Sequence, residues 1–232
     1  MMKKNGFTLA EVLITLAIIG VVATLTLPSL LTNTQEQQAL TAFKKIMNTL
    51  NEAGQMNAAM EGFDYSISSV LGDAEDCTSA RISEENESLC SLFNERLQVS
   101  VQASGGYGEQ GEGDNGNKCT GDNVLVLRDG TAICLVNNAK QNNGDYWEIY
   151  VDTNGPKGPN EVSTCGEEGC ITKAERLIKD QFPVTLSRGI AVPGKWSAFD
   201  TEDENDHQSF AARYAMGVGR RERANNAGGG NG

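Results

Sequence analysis

The chain has 232 residues and a net charge of −12, from 31 Asp and Glu against 19 Lys and Arg. That length holds one domain of ordinary size plus an appendage, or two small domains. The acidity speaks against nucleic acid as a partner, since phosphate binding needs a clustered positive face. A single histidine, His207, removes most multi-imidazole zinc chemistry and Ser/His/Asp catalysis. There is no G-x-S-x-G, metal-binding His pair or phosphate-cradling loop, so the reading is non-enzymatic.

From Phe7 to Leu31 the only charged residue is Glu11. As a helix rising about 1.5 Å per residue, this run crosses the ~30 Å hydrocarbon layer of a bilayer. Lys3 and Lys4 precede it, which predicts an N-in orientation with the rest exported. A cleaved signal peptide is the plain alternative. Against it stands Glu11, because a charge at mid-bilayer costs roughly 2.5–3.5 kcal/mol and is seldom kept without a task. Nor does a good small-x-small cleavage site follow.

The segment Lys3-Lys4-Asn5-Gly6-Phe7-Thr8-Leu9-Ala10-Glu11 resembles the leader junction of type IV pilins and type II secretion pseudopilins. These have a short basic leader ending in Gly, then Phe, with Glu fifth from the cut at the start of an apolar helix. Pro28, well into that helix, is a further likeness; Ala10, where a larger aliphatic is frequent, is a mild departure. The resemblance implies a leader over 1–6, cut between Gly6 and Phe7 by a prepilin peptidase that also N-methylates the Phe7 amine. It implies a transmembrane and assembly helix over 7–31. Glu11 would then meet the Phe7 ammonium of a neighbouring pilin or pseudopilin subunit, with inner-membrane assembly machinery as a further partner. Pairing two charges across subunits offsets much of their cost in lipid and sets register. Loss of Lys3 and Lys4 with the leader takes the charge from −12 to −14.

Beyond the membrane run, Leu40, Phe43, Ile46, Met47 and Leu50 recur at helical spacing and predict an apolar stripe from about Gln35 to Met60. Lys44, Lys45, Asn48, Asn51 and Glu52 are expected on other faces. Pro28 is expected to kink or loosen the helix. A domain over 61–216 follows. Its stretch Ser66 to Ser79 is turn-rich, Asn86 to Phe93 suits a short helix, and Gly105 to Gly116 reads as a glycine-rich loop.

Val124–Leu127 and Thr131–Val136, split by Arg128-Asp129-Gly130, predict a hairpin. After an Asn143-Gly144 turn, Tyr146–Val151 supplies a third antiparallel strand. Phe182–Leu186 and Ile190–Val192 are expected at an edge, since Pro183 suits an edge and not a central strand. The fold class is therefore α+β: a long N-terminal helix continuing onto an antiparallel β-meander.

Asp152-Thr-Asn154-Gly155-Pro-Lys-Gly-Pro-Asn160-Glu161 follows the third strand and resembles a loop found in many pilin-like proteins. Asp152, Asn154, Asn160 and Glu161 offer oxygens suited to a hard cation such as Ca²⁺. An Asx turn stiffened by two prolines is the other reading. Cys77, Cys90, Cys119, Cys134, Cys165 and Cys170 all lie past the membrane run. Six thiols allow fifteen pairings; joining neighbours (77–90, 119–134, 165–170) closes short loops and leaves none over. No CxxC occurs, so disulfides in an oxidising periplasm or cell surface are favoured over zinc.

Thr172-Lys-Ala-Glu175 reads as a capping box opening a short helix. Asp200 to Asp206 reads as a solvated acidic run and 217–232 as a disordered tail. The whole predicts a filament subunit of a type IV pilus, a secretion pseudopilus or a DNA-uptake filament, anchored once in the inner membrane. The rival is a membrane-anchored or secreted disulfide-rich binding module with an ordinary signal sequence.

Overall fold

The computed structural model describes residues 8–83, 86–103, 105–108, 116–120, 124–135, 146–166, 170, 172–195 and 206–217. The predicted turn at Asn143-Gly144, most of the glycine-rich loop, most of the acidic run and residues 218–232 lie outside them. The chain divides into two compact units, Met1–Gln38 and Ala39–Gly232.

The first unit holds the start of helix α1, which spans Leu9–Glu61 without interruption. Pro28 sits inside that helix, which continues through it although proline removes one backbone donor. Thr15, Thr24 and Thr26 turn their hydroxyls onto the carbonyls of Val12, Val21 and Val22 at 2.9–3.0 Å. The helix thus satisfies its own polar side chains within an otherwise apolar stretch.

In the second unit, α1 buries the predicted Leu40, Phe43, Ile46, Met47 and Leu50, with Ala53 besides, while Met56 and Met60 at the end of the predicted stripe are exposed. Helix α2 spans Leu89–Arg96. It starts later than expected because Ser88 is the N-cap, its hydroxyl accepting from the Ser91 N–H while the Ser91 hydroxyl accepts from the Ser88 N–H, both 3.1 Å.

Six strands form one antiparallel sheet: β1 (Val99–Ala103), β2 (Val124–Leu127), β3 (Ala132–Cys134), β4 (Trp147–Asp152), β7 (Gln181–Ser187) and β8 (Ile190–Pro193), in the order β1-β2-β3-β4-β7-β8. A separate pair joins β5 (Thr164–Cys165) to β6 (Arg176–Leu177). Alternation along the strands sorts the side chains by face. Leu125, Ile133, Ile149, Val151, Phe182, Val184 and Leu186 share the core with the α1 stripe. Val124, Ala132, Cys134 and Tyr150 build a smaller cluster with Cys119 and Val162. The Phe43 and Phe182 rings stack with centroids 4.4 Å apart. The Tyr65 hydroxyl donates to the Leu50 carbonyl at 2.6 Å, and the Trp147 indole N–H to the Tyr65 carbonyl at 3.1 Å.

Four further expectations change. Asn51 is half-buried against the sheet rather than turned away, bonded to the backbone of Ala191 in β8. Pro183 lies in an interior strand, because β7 pairs with β4 on one side and β8 on the other. The Pro183 carbonyl accepts from Gly194 at 2.9 Å, just past the end of β8. In an extended residue N and C=O point the same way, so the missing donor faces the place where β8 has stopped and the β4 ladder is untouched.

The Thr172 segment forms a turn into β6, not a helix. Glu175 does accept from the Thr172 N–H at 2.9 Å, but Arg176 pairs at once with Cys165. Asp206 is buried rather than solvated, and caps a helix the sequence reading did not anticipate, α3 (His207–Met216), by accepting from the Ser209 N–H at 3.0 Å. Gly217 is the left-handed C-cap of that helix, φ 79°.

Candidate functional site

Two regions concentrate the predicted residues. The first is the N-terminal end of α1. Gly6 and Phe7 lie outside the described residues. Glu11 is described, and its carboxylate accepts from the Thr8 N–H at 2.7 Å and from the Thr8 hydroxyl at 2.8 Å. The Glu11 N–H in turn donates to the Thr8 hydroxyl at 3.3 Å. This is a reciprocal N-terminal cap, which satisfies donors that a helix start leaves orphaned. Thr8 and the three-residue spacing to Glu11 signal such a cap in the sequence, and the sequence reading passed over it. A carboxylate also suits the positive end of the helix dipole.

From Leu9 to Leu27 the helix has a mean hydropathy of 2.3 with none of that stretch buried. Leu13, Ile14, Leu16, Ile18, Ile19, Val21, Val22 and Leu25 all point outward. Nineteen residues of this kind are long and apolar enough to cross a membrane.

The second region lies where β4 ends. The ladder sets Asp152 opposite Gln181 and so beside Asp180. Asp152 and Asp180 are 0% and 2% exposed. Asp152 accepts from the Asn154 N–H at 3.1 Å and from the Gln181 amide at 2.9 Å, and the Tyr107 hydroxyl also donates to it. Asp180 accepts from the backbone N–H groups of Asn160 and Glu161 at 2.9 and 3.0 Å. Burial, and next the charge of Asp180, push the Asp152 carboxyl up to about 7. Burial and the Asp152 charge push the Tyr107 phenol up as well.

Gly155 lets the loop after β4 pack against the β2–β3 turn. Its φ is 63°, and a Cβ there would stand 2.4 Å from the Gly130 carbonyl oxygen in the β2–β3 turn. Glu161 joins through its backbone alone, since its carboxylate forms an ion pair with Lys179 at 2.7 Å. Asp180 was not among the predicted residues. It is remote in sequence, and only the β4–β7 pairing makes it a neighbour. Among the described residues no group of three or more His, Cys, Asp or Glu side chains is placed to hold a metal.

The cysteines pair as neighbours: Cys77–Cys90, Cys119–Cys134 and Cys165–Cys170, with Cα separations of 5.0, 5.1 and 5.0 Å. The first ties the turn-rich segment to α2, where the Leu89 and Cys90 N–H groups also bond Ser69 and Val70. The second crosses from the segment before β2 to β3.

No curated protein and no solved structure matches the chain. Residues 1–27 match the prokaryotic N-terminal methylation motif. Gly6, Phe7 and Glu11 fall within that match, as does the outward-facing apolar helix start. The chain therefore carries, on a helix that continues into an α+β domain, the N-terminal methylation signal of type IV pilin and pseudopilin precursors.

Proposed function

We propose that this chain is a structural subunit of a type IV pilus or a type II secretion pseudopilus, assembled through the apolar start of α1. The observation that carries the reading is the conjunction of the methylation motif over residues 1–27 with a span whose large aliphatic side chains all face outward. Such a surface is stable only in lipid or against copies of itself.

In this reading prepilin peptidase cuts after Gly6 and methylates Phe7. The subunit then waits as a single-pass inner-membrane protein with its domain in the periplasm, where the three disulfides fit the redox conditions. While it waits, the Thr8 cap holds the Glu11 carboxylate and lowers the cost of keeping it in the apolar phase. During assembly the carboxylate exchanges that cap for the Phe7 ammonium of a neighbour. The role is mechanical and associative, not catalytic.

Co-expression of the chain with the assembly machinery, comparing wild type with Glu11→Ala, tests the proposal. Processing stays largely intact and incorporation into sheared filaments falls at least tenfold. Equal filament yield from the variant refutes the pairing role.

A further inference from the structure

We infer that the hollow at the C-terminal end of α1 receives the segment Arg220-Arg221-Glu222-Arg223 of a second copy of this chain. The inference deepens the filament reading, on which it rests for the nearness of copies, by naming a contact between their exported domains.

The hollow has the chemistry of a cation seat. Ala58, Phe63 and Ile67 give it apolar walls, and Asp64, Ser66 and Glu87 set polar groups around them. Helix α1 stops at Glu61, before Gly62 at φ 83°, so the hollow lies at the negative end of the helix dipole. Asp64 Oδ1 is held by the Ser66 N–H at 2.7 Å and by the Ser66 hydroxyl. Among the described residues neither Asp64 nor Glu87 forms an ion pair, with Arg188 on the adjoining β7–β8 turn or with any other cation. The two arginines nearest in sequence are committed elsewhere. Arg96 bonds Glu61 at 2.8 Å and Asn57 at 3.0 Å, and Arg81 bonds the carbonyls of Thr78 and Ala80 at 2.8 Å. Apolar walls beside unpaired carboxylates suit a side chain with a methylene stem and a cationic tip, and arginine also matches a carboxylate edge to edge.

The chain itself carries the complement. Residues 61–96 hold nine carboxylates against two arginines, a net −7 within a chain of −12. Residues 218–232 hold three arginines and one glutamate, a net +2, and follow directly on the α3 cap at Gly217. No other four-residue stretch of the sequence has three basic residues. Acidic domains repel one another, so a contact between two copies needs a local match of opposite charge such as this. Because the hollow and the arginine segment are different surfaces, their contact is heterologous, the kind that repeats head to tail along a filament. Exposed ion pairs are individually weak, so one contact alone has a Kd on the order of 10⁻⁴ M. Copies held side by side through α1 raise the effective concentration above that value.

The test titrates the full chain, reconstituted one copy per nanodisc of uncharged phosphatidylcholine, into a fluorescent peptide of residues 218–232 followed by anisotropy. The wild-type chain binds with a Kd on the order of 10⁻⁴ M at low salt, and binding weakens at least fivefold in molar salt. Asp64→Asn with Glu87→Gln raises the Kd at least fivefold. Should that pair disturb the fold, Glu87→Gln alone, at an exposed side chain, raises it at least threefold. Asp73→Asn with Glu75→Gln, at exposed acids outside the hollow, leaves the Kd as in wild type. So does alanine at Arg220, Arg221 and Arg223 of the receiving chain, since its hollow is filled from another molecule. Absence of binding, an equal loss in the Asp73 and Glu75 variant, or tenfold tighter binding to the chain without its own arginines overturns the assignment. Failure of the filament reading shows instead at the mature N-terminus and leaves this titration unchanged.

Discussion

The side-chain amide of Asn51, on α1, closes both outward-facing backbone groups of Ala191 on the last strand of the sheet. It donates to the Ala191 carbonyl at 3.3 Å and accepts from the Ala191 N–H at 2.9 Å. Strand β8 is an edge, and an open edge exposes unpaired groups that recruit other chains. The helix thus docks on the sheet and blunts its edge with one residue. Asn51→Ala leaves two half-buried backbone groups unpaired and is expected to cost about 1–3 kcal/mol. Urea unfolding of the full chain in detergent measures it, and a loss below about 0.5 kcal/mol would show that water serves Ala191 equally well.

Helix α1 lies close against the β7–β8 turn at Gly54. A Cβ there would stand 2.6 Å from the Gly189 carbonyl oxygen and 2.6 Å from Tyr65 Cε2. One contact is backbone and the other a buried ring, so neither yields easily. Gly54→Ala is expected to lower stability by about 1–3 kcal/mol through overpacking, despite the better helix propensity of alanine. A stabilised variant in the same unfolding measurement would contradict this packing.

Lys45 on α1 reaches Asp129 in the β2–β3 turn at 2.7 Å. Burial is the largest single influence on Asp129 and raises its pKa. The Lys45 ammonium and the Thr131 hydroxyl and N–H outweigh it together, leaving the carboxyl below its ordinary value. A folded-state pKa lower than the unfolded one gives stability that is present above the unfolded value and lost as pH falls through the folded value. The pair is solvent-exposed, so Asp129→Asn should cost less than about 1 kcal/mol at pH 7. That difference should shrink toward zero at the acid end of the carboxylate range, and a pH-independent difference would assign it to Thr131 geometry instead.

The disulfides are expected to contribute unequally. Cys77–Cys90 and Cys119–Cys134 close separations of 13 and 15 residues, whereas Cys165–Cys170 closes 5. Loop-closure entropy makes each of the longer ones worth about 3 kcal/mol and the shortest less. Paired Cys→Ser variants, unfolded in urea, should rank in that order. The Cys165/Cys170 variant emerging as the least stable would contradict it.

What was legible in the residues follows from how local each signal is. Phe43, Met47 and Leu50 announce their helix face through spacing alone, and Arg128-Asp129-Gly130 announces its hairpin, because both signals lie within a few residues. Pro183 misled, since its tolerance depends on where a different strand ends. Strand β1 went unseen although Val99, Val101 and Ala103 alternate, as five residues give a weak period. Helix α3 was hidden because its cap, Asp206, closes an acidic run that reads as solvated. In the loop after β4, Asp152, Asn154 and Asn160 were visible as neighbours in sequence. Asp180, the second buried carboxylate there, becomes their neighbour only through the β4–β7 register.

The filament account stands or falls on the mature N-terminus. Intact-mass and peptide mass spectrometry of the membrane-extracted and reduced protein, made in a cell with an active prepilin peptidase, should find a chain starting at Phe7 and one methyl group heavier than its sequence. A chain that keeps Met1, or one that starts beyond residue 22, would contradict it.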